Sequence, residues 1–209
     1  MARNTISKVF ILLSITVLFT QCKHKQVRYL PIIGISTVDK ANGDTIYHTI
    51  ANFTTTDQLG QVVTQDTFRN KIYVANFFFV TCPGICKQMN EELERVQKSF
   101  AGNGKVKFAS FTVNPEYDSI PVLAEYAKLH DAVPYQWYFL RGDKQQVLDL
   151  ARHSYLAETE GYLVHSQNLT LIDSKGRIRG VYSGLVTTDV DRLIKDIQLL
   201  LKEESENNS

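Results

Sequence analysis

With 209 residues the chain is long enough for one sizeable core and too short for two full domains to be the first expectation. Its 23 Lys and Arg offset 22 Asp and Glu, leaving a formal net charge of +1, and no segment gathers basic residues beside aromatics as a nucleic-acid groove requires. One domain and no nucleic-acid partner are therefore expected.

Residues 1–22 differ in kind from the rest. Arg3 and Lys8 precede an apolar run, Val9 to Phe19, which ends at Thr20, Gln21 and Cys22, the order of an export signal. Eleven residues rising ~1.5 Å each fall short of a hydrocarbon core of about 30 Å, which argues against a permanent membrane span. A cysteine closing the run resembles a bacterial lipoprotein signal. That resemblance implies lipid on Cys22, a membrane anchor, and a domain exported to the periplasm or beyond the cytoplasmic membrane. Gln21 departs from the small residue usual before such a cysteine, and the alternatives are an uncleaved anchor and a plain buried N-terminal segment.

Lys23 to Arg28 reads as a tether. Ile32 to Val38 and Thr45 to Ile50 are β-branched runs around Asn42-Gly43, which predicts a hairpin. Ala51 to Val63 holds a short strand and a turn at Gly60. Ile72 to Val80 is almost wholly apolar, as a central strand buried on both faces would be. Ile85, Met89, Leu93, Val96 and Phe100 then fall on one helical face.

Further along, Val106 to Val113 is a strand and Asn114-Pro115 a breaker; Ile120 to His130 is a helix with Pro121 in its first turn. Trp137 to Leu140 predicts a strand, Lys144 to Tyr155 a helix, and Leu169 to Asp173 and Arg177 to Tyr182 strands about a Ser174-Lys175-Gly176 turn. Thr188 to Leu201 is the last helix, and the polar end is expected to fray. The division is 1–22 signal or anchor, 23–50 tether and hairpin, 51–201 main domain, and 202–209 flexible tail. Alternating strands and helices give an α/β sandwich.

The chemistry centres on Val80-Thr-Cys-Pro-Gly-Ile-Cys86. With Cys22 lipidated, Cys82 and Cys86 are the remaining thiols and must be explained as a pair. A structural disulfide is the ordinary expectation for an exported chain. Closing a loop of three intervening residues restrains the unfolded chain little, which gives chemistry more weight than a staple. The pair stands where strand passes into helix, with Cys82 expected near the N-cap and Pro83 near the first helical position. Free N–H groups and the helix dipole favour thiolate there, the form that attacks disulfides and binds soft metals. Strand, Cys-Pro and helix resemble the thioredoxin superfamily, although that superfamily's redox cysteines stand three positions apart and these stand four.

Two sulfurs need a third ligand to make a metal site. His24 lies in the tether, His48 in the hairpin, His130 at a helix end and His153 in a helix, and all four read as solvent-facing or structural. His165 precedes the strand at Leu169, and in a thioredoxin arrangement the loop entering that strand faces the cysteine-bearing helix end. Met89 shares its helical face with Leu93 and reads as core, as do Phe77, Phe78, Phe79 and Trp137; Asp118 reads as loop and helix-cap chemistry.

Asn76-Phe-Phe-Phe-Val-Thr-Cys-Pro-Gly-Ile-Cys-Lys-Gln-Met89, the stretch from Phe111 to His130, and Tyr162-Leu-Val-His-Ser166 leading to the 173–184 hairpin together resemble the Sco/SenC family of copper-binding, thioredoxin-fold proteins. The resemblance runs from about Phe53 to Leu201. It implies a thioredoxin-like fold with a central mixed sheet, and a copper site, Cu(I) or Cu(II), made by Cys82, Cys86 and His165. The implied role is assembly of the dinuclear copper centre of cytochrome c oxidase subunit II, with a copper donor and a thiol reductant upstream. Lys87 stands where the family has proline and Val164 where it has an acid, which alters the surroundings of the site. Three functions follow: a copper metallochaperone; a thiol-disulfide reductase acting through Cys82 and Cys86 alone; and a redox or copper sensor. Ligand types alone also admit zinc.

Overall fold

The computed structural model describes residues 29–157 and 167–206. A small hairpin, β1 (Thr37–Val38) and β2 (Thr45–Ile46), comes first. Gly43, at φ 79°, takes the left-handed turn conformation that glycine accepts without penalty. The paired strands are much shorter than the β-branched runs suggested, because both faces are exposed and no core side chain extends the ladder. A second hairpin pairs β3 (Thr54–Thr56) with β4 (Val62–Thr64) across the turn at Gly60.

The main sheet has five strands: β5 (Ile72–Phe78), β6 (Val106–Thr112), β7 (Trp137–Leu140), β8 (Asn168–Ile172) and β9 (Ile178–Ser183), in the spatial order β7-β6-β5-β8-β9. β5, β6 and β7 run parallel, while β8 and β9 are antiparallel to their neighbours. The sheet is mixed, and with helices on both faces the fold is thioredoxin-like.

Strand β5 lies at the centre, and alternation along it explains its composition. Ile72, Val74 and Phe78 face one core with helix α1 (Ile85–Ser99), helix α2 (Ile120–Leu129) and helix α4 (Thr187–Glu206); Tyr73, Ala75 and Phe77 face the other. That second core is covered by helix α3 (Lys144–Asp149), by the wider π turn that follows it to Ser154, and by residues of the 50–68 segment such as Phe53 and Phe68. Each large apolar side chain so buried contributes about 1.5–3 kcal/mol. Asn76 is the polar exception on β5: it accepts from Ser110 Oγ (2.6 Å) and donates to Asn90 Oδ1 (3.2 Å), so its burial is compensated.

Two helix ends differ from expectation. The helix expected over Lys144 to Tyr155 leaves α-geometry at Leu150 for the π turn. The flexible tail expected from Lys202 is corrected: α4 continues to Glu206, because Glu203 points inward to Arg179 (2.8 Å) and accepts from the Leu30 N–H (2.8 Å). Among the described residues no helix is long and apolar enough to cross a membrane. Cys22 and the Val9–Phe19 run lie outside the described residues.

Candidate metal and thiol site

β5 ends at Phe78 and α1 begins at Ile85, so the cysteine motif forms the turn between them. The N-cap is Gly84, not Cys82, and Pro83 precedes the helix; Gly84 has a non-helical backbone, which delays the start of the helix. Gly84 has no side chain with which to cap α1. Backbone groups of Gly84, Ile85 and Cys86 hydrogen-bond the Cys82 sulfur instead. The sulfur thus accepts from N–H groups that a Ser or Asp cap would otherwise satisfy.

This arrangement separates the two thiols chemically. Burial pushes the half-buried Cys82 upward, but the Cys86 thiol and the three backbone hydrogen bonds outweigh it and hold Cys82 below an ordinary cysteine. Cys86 is 2% exposed. Burial, then the neighbouring Cys82 thiol, pushes it up to about 12. Neither cysteine is bridged. One thiol is therefore accessible and predisposed to ionise, and its neighbour is buried and protonated.

Two groups beneath the pair were not assigned to the site by sequence. Asp118 is completely buried: its Oδ2 accepts from the Val80 N–H (3.2 Å) and from the Thr112 hydroxyl, and burial raises its pKa. It is not a helix cap, since the N-cap of α2 is Ser119. Tyr126 stacks on Phe78 (ring centroids 5.4 Å), and its hydroxyl accepts from Asn90 Nδ2 (3.0 Å). Burial first, then the charges of Cys86, Cys82 and Asp118, raise its phenol to about 12. The signal that might have found Asp118 is topological: its loop follows β6, which runs parallel beside β5, so both loops leave the same edge of the sheet.

The other candidates are dispersed. Met89 is core, 1% exposed. His130 is buried with Nδ1 at 2.7 Å from Glu94, and His48 Nε2 lies 2.7 Å from the Ser154 carbonyl. His153 falls in the π turn. His165 and His24 lie outside the described residues. The chain does re-enter the described structure at Gln167, whose carbonyl accepts from the Gly184 N–H (2.7 Å), and β8 runs antiparallel to β5, Thr170 opposite Ala75. Among the described residues no group of three His, Cys, Asp or Glu is arranged to hold a metal. The donor chemistry of the cysteine pair nevertheless fits a soft ion, because its half-buried Cys82 sulfur is already biased toward thiolate.

Comparison with known proteins gives a consistent result. The sequence model of the SCO1/SenC family matches residues 42–202. A SCO1 protein homolog of Bacillus subtilis is 28% identical over 162 residues, covering 74% of this chain and 84% of its own length. Among solved structures, a SCO1/SenC family lipoprotein from Bacillus anthracis superposes with a TM-score of 0.67 at 24% identity, over 74% of this chain and 95% of that one. BsSco, a member of the Sco family of cytochrome c oxidase assembly proteins in which a disulfide switch was identified, gives 0.65 at 24% identity, over 73% and 93%. Copper-bound yeast Sco1 gives 0.58 at 22% identity, over 72% and 89%.

Proposed function

This chain belongs to the SCO1/SenC family, and from that premise we propose that it is a copper metallochaperone of cytochrome c oxidase assembly, delivering copper to the dinuclear centre of subunit II. The observation that carries this reading is the Cys82–Cys86 pair at the start of α1, with the Cys82 sulfur held by backbone N–H groups. Copper bound to yeast Sco1 and the assembly role of BsSco support it.

Cys82 and Cys86 are the thiolate ligands and His165 the third ligand. Two thiolates suit Cu(I), and an imidazole helps to retain Cu(II). The half-buried Cys82 is where a partner's ligand approaches, and the buried Cys86 gives up its proton when copper is taken. Cys22 carries the lipid that keeps the domain at the membrane on the exported side, consistent with the Bacillus anthracis lipoprotein.

The asymmetry of the thiols favours a second reading, thiol-disulfide reductase, which can coexist with the first. The Cys82 thiolate attacks a partner disulfide, forming a mixed disulfide and releasing one partner thiolate. Cys86, deprotonated, then attacks the Cys82 sulfur and releases the second. The partner gains two electrons and two protons, and this chain retains a Cys82–Cys86 disulfide.

Anaerobic titration of the reduced chain with Cu(I) and with Cu(II), beside His165→Ala, tests the assignment. One equivalent of tightly bound copper that weakens at least tenfold in the variant is expected. Copper binding that is weak, or indifferent to His165, leaves the reductase as the function.

A further inference from the structure

Tyr29, Ile35 (86% exposed), Val38 (65%), Ile46 and Tyr47 leave apolar surface in water within one short stretch, the β1–β2 hairpin and the chain that leads into it. Apolar side chains scattered singly over a surface are ordinary, but a gathered set marks a contact surface. The hairpin has no core of its own, since its paired residues are all exposed. It is nevertheless held in a fixed place. The Ile33 N–H donates to the Ile178 carbonyl (2.8 Å) where the chain enters it, and the Ile50 N–H to the Gly176 carbonyl (2.8 Å) where the chain leaves. The Arg177 guanidinium lies 5.7 Å from the centre of the Tyr47 ring.

Those partners belong to the turn between β8 and β9, at the edge of the sheet where β5 begins: Ile172 stands opposite Tyr73, and the Asn70 N–H donates to the Ser174 carbonyl (3.2 Å). The thiol turn leaves the other end of β5. Seven residues rising ~3.3 Å each put about 20 Å of strand between the two edges. The hairpin edge also carries uncompensated positive charge. Lys71 precedes β5, Lys105 precedes β6 and Lys175 sits in the β8–β9 turn, and none of the three forms an ion pair among the described residues. The carboxylates near them are engaged: Asp66 by Arg69, Asp173 by Arg177 and Arg179, and Glu204 by the Ser174 N–H. Asp39 and Asp44 flank Lys40 in the hairpin turn, where they accept from the Ala41 N–H and the Asn42 amide.

The sequence ahead of this edge adds charge of the same sign and limits its reach. Lys23, Lys25 and Arg28 stand between Cys22 and Tyr29, and seven residues span at most ~25 Å when fully extended. With lipid on Cys22, Tyr29 cannot lie farther than that from a bilayer. We propose that the β1–β2 hairpin, together with Lys71, Lys105 and Lys175, is a docking face for an anionic phospholipid bilayer, and that it holds the domain with its thiol edge turned away from the membrane. This rests on the reading of Cys22 as the lipid-bearing residue. The apolar side chains of the hairpin enter the boundary between headgroups and acyl chains, and the lysines meet the phosphates. Cys82 then stands about 20 Å or more from the lipid, open to a partner's domain.

In the experiment the full chain, its lipid on Cys22 verified by mass spectrometry, is placed on vesicles of phosphatidylcholine alone and of equal parts phosphatidylcholine and phosphatidylglycerol. Amide hydrogen exchange is followed over residues 35–47 and 79–86. The lipid holds the chain on both vesicles, so a difference between them reports the docking face. Exchange over 35–47 should be about fivefold slower on the mixed vesicles and should recover in raised salt, while 79–86 is unchanged. Two variants leave the core untouched. Ile35→Ser with Val38→Ser and Ile46→Ser removes the apolar part, and Lys71→Gln with Lys105→Gln and Lys175→Gln removes the charge. Each should bring the rates on the two vesicles within about twofold.

Exchange over 35–47 that is the same on both vesicles overturns the proposal. So does equal slowing over 79–86, which would lay the thiol edge on the lipid, or full slowing retained in either variant. A chain without lipid on Cys22 overturns the anchor reading and the docking face together, whereas lipid on Cys22 with no slowing overturns the docking face alone.

Discussion

Cys82 and Cys86 are four positions apart but differ in reactivity because of where the helix starts. The pH dependence has a definite sign. The Cys82 thiolate is stabilised, so its reaction with iodoacetamide should rise with pH through a midpoint below that of a free cysteine; Cys86, pushed up to about 12, stays protonated throughout the neutral range. In the reduced, metal-free protein at pH 7, alkylation resolved by mass spectrometry should label Cys82 at least tenfold faster. Equal rates would remove the asymmetry. At this scale the sequence disclosed the pair and its placement at a strand-to-helix junction. It did not disclose Asp118: a carboxylate before a helix is ordinarily a cap, and only the parallel pairing of β5 with β6 brings its loop beneath the thiols.

At the scale of elements, the least legible feature was the far end of α4. Lys202-Glu-Glu-Ser-Glu206 has no apolar stripe, so its sequence alone predicts fraying. The fold instead buries Glu203 against Arg179, which also contacts Asp173 (3.3 Å) and the Leu30 carbonyl (2.6 Å). Three chain segments far apart in sequence thus meet at one guanidinium. Removing one partner from such a buried group is strongly destabilising, because the remaining charge stays buried. Glu203→Ala should cost about 3 kcal/mol in urea unfolding, a loss shared by truncation after Leu201. If either change is neutral, α4 does not need its last turn.

For the whole molecule, two cores separated by the sheet make a rigid platform, with the thiol turn at the edge where β5 and β6 end. At its N-terminal side the described chain is held to that platform through the Leu30 N–H bond to Glu203. Cys22→Ala should abolish incorporation of radiolabelled palmitate in a bacterial host and release the domain from the membrane fraction. Unchanged membrane retention would favour an uncleaved anchor at Val9 to Phe19 instead.

The sequence by itself determined the α/β class, the central strand Ile72 to Val80, the helical face from Ile85 to Phe100 and the cysteine pair, because each is a local pattern of period two, period 3.6 or fixed spacing. The tertiary structure decided which N–H groups hold the Cys82 sulfur, why Cys86 resists ionisation, where Asp118 points and how far α4 runs. Those properties depend on burial and on partners distant in the chain. A hydrogen bond from Val80 to Asp118 or an ion pair from Arg179 to Glu203 leaves no periodic trace in a sequence, since it exists only after packing has excluded water from both partners.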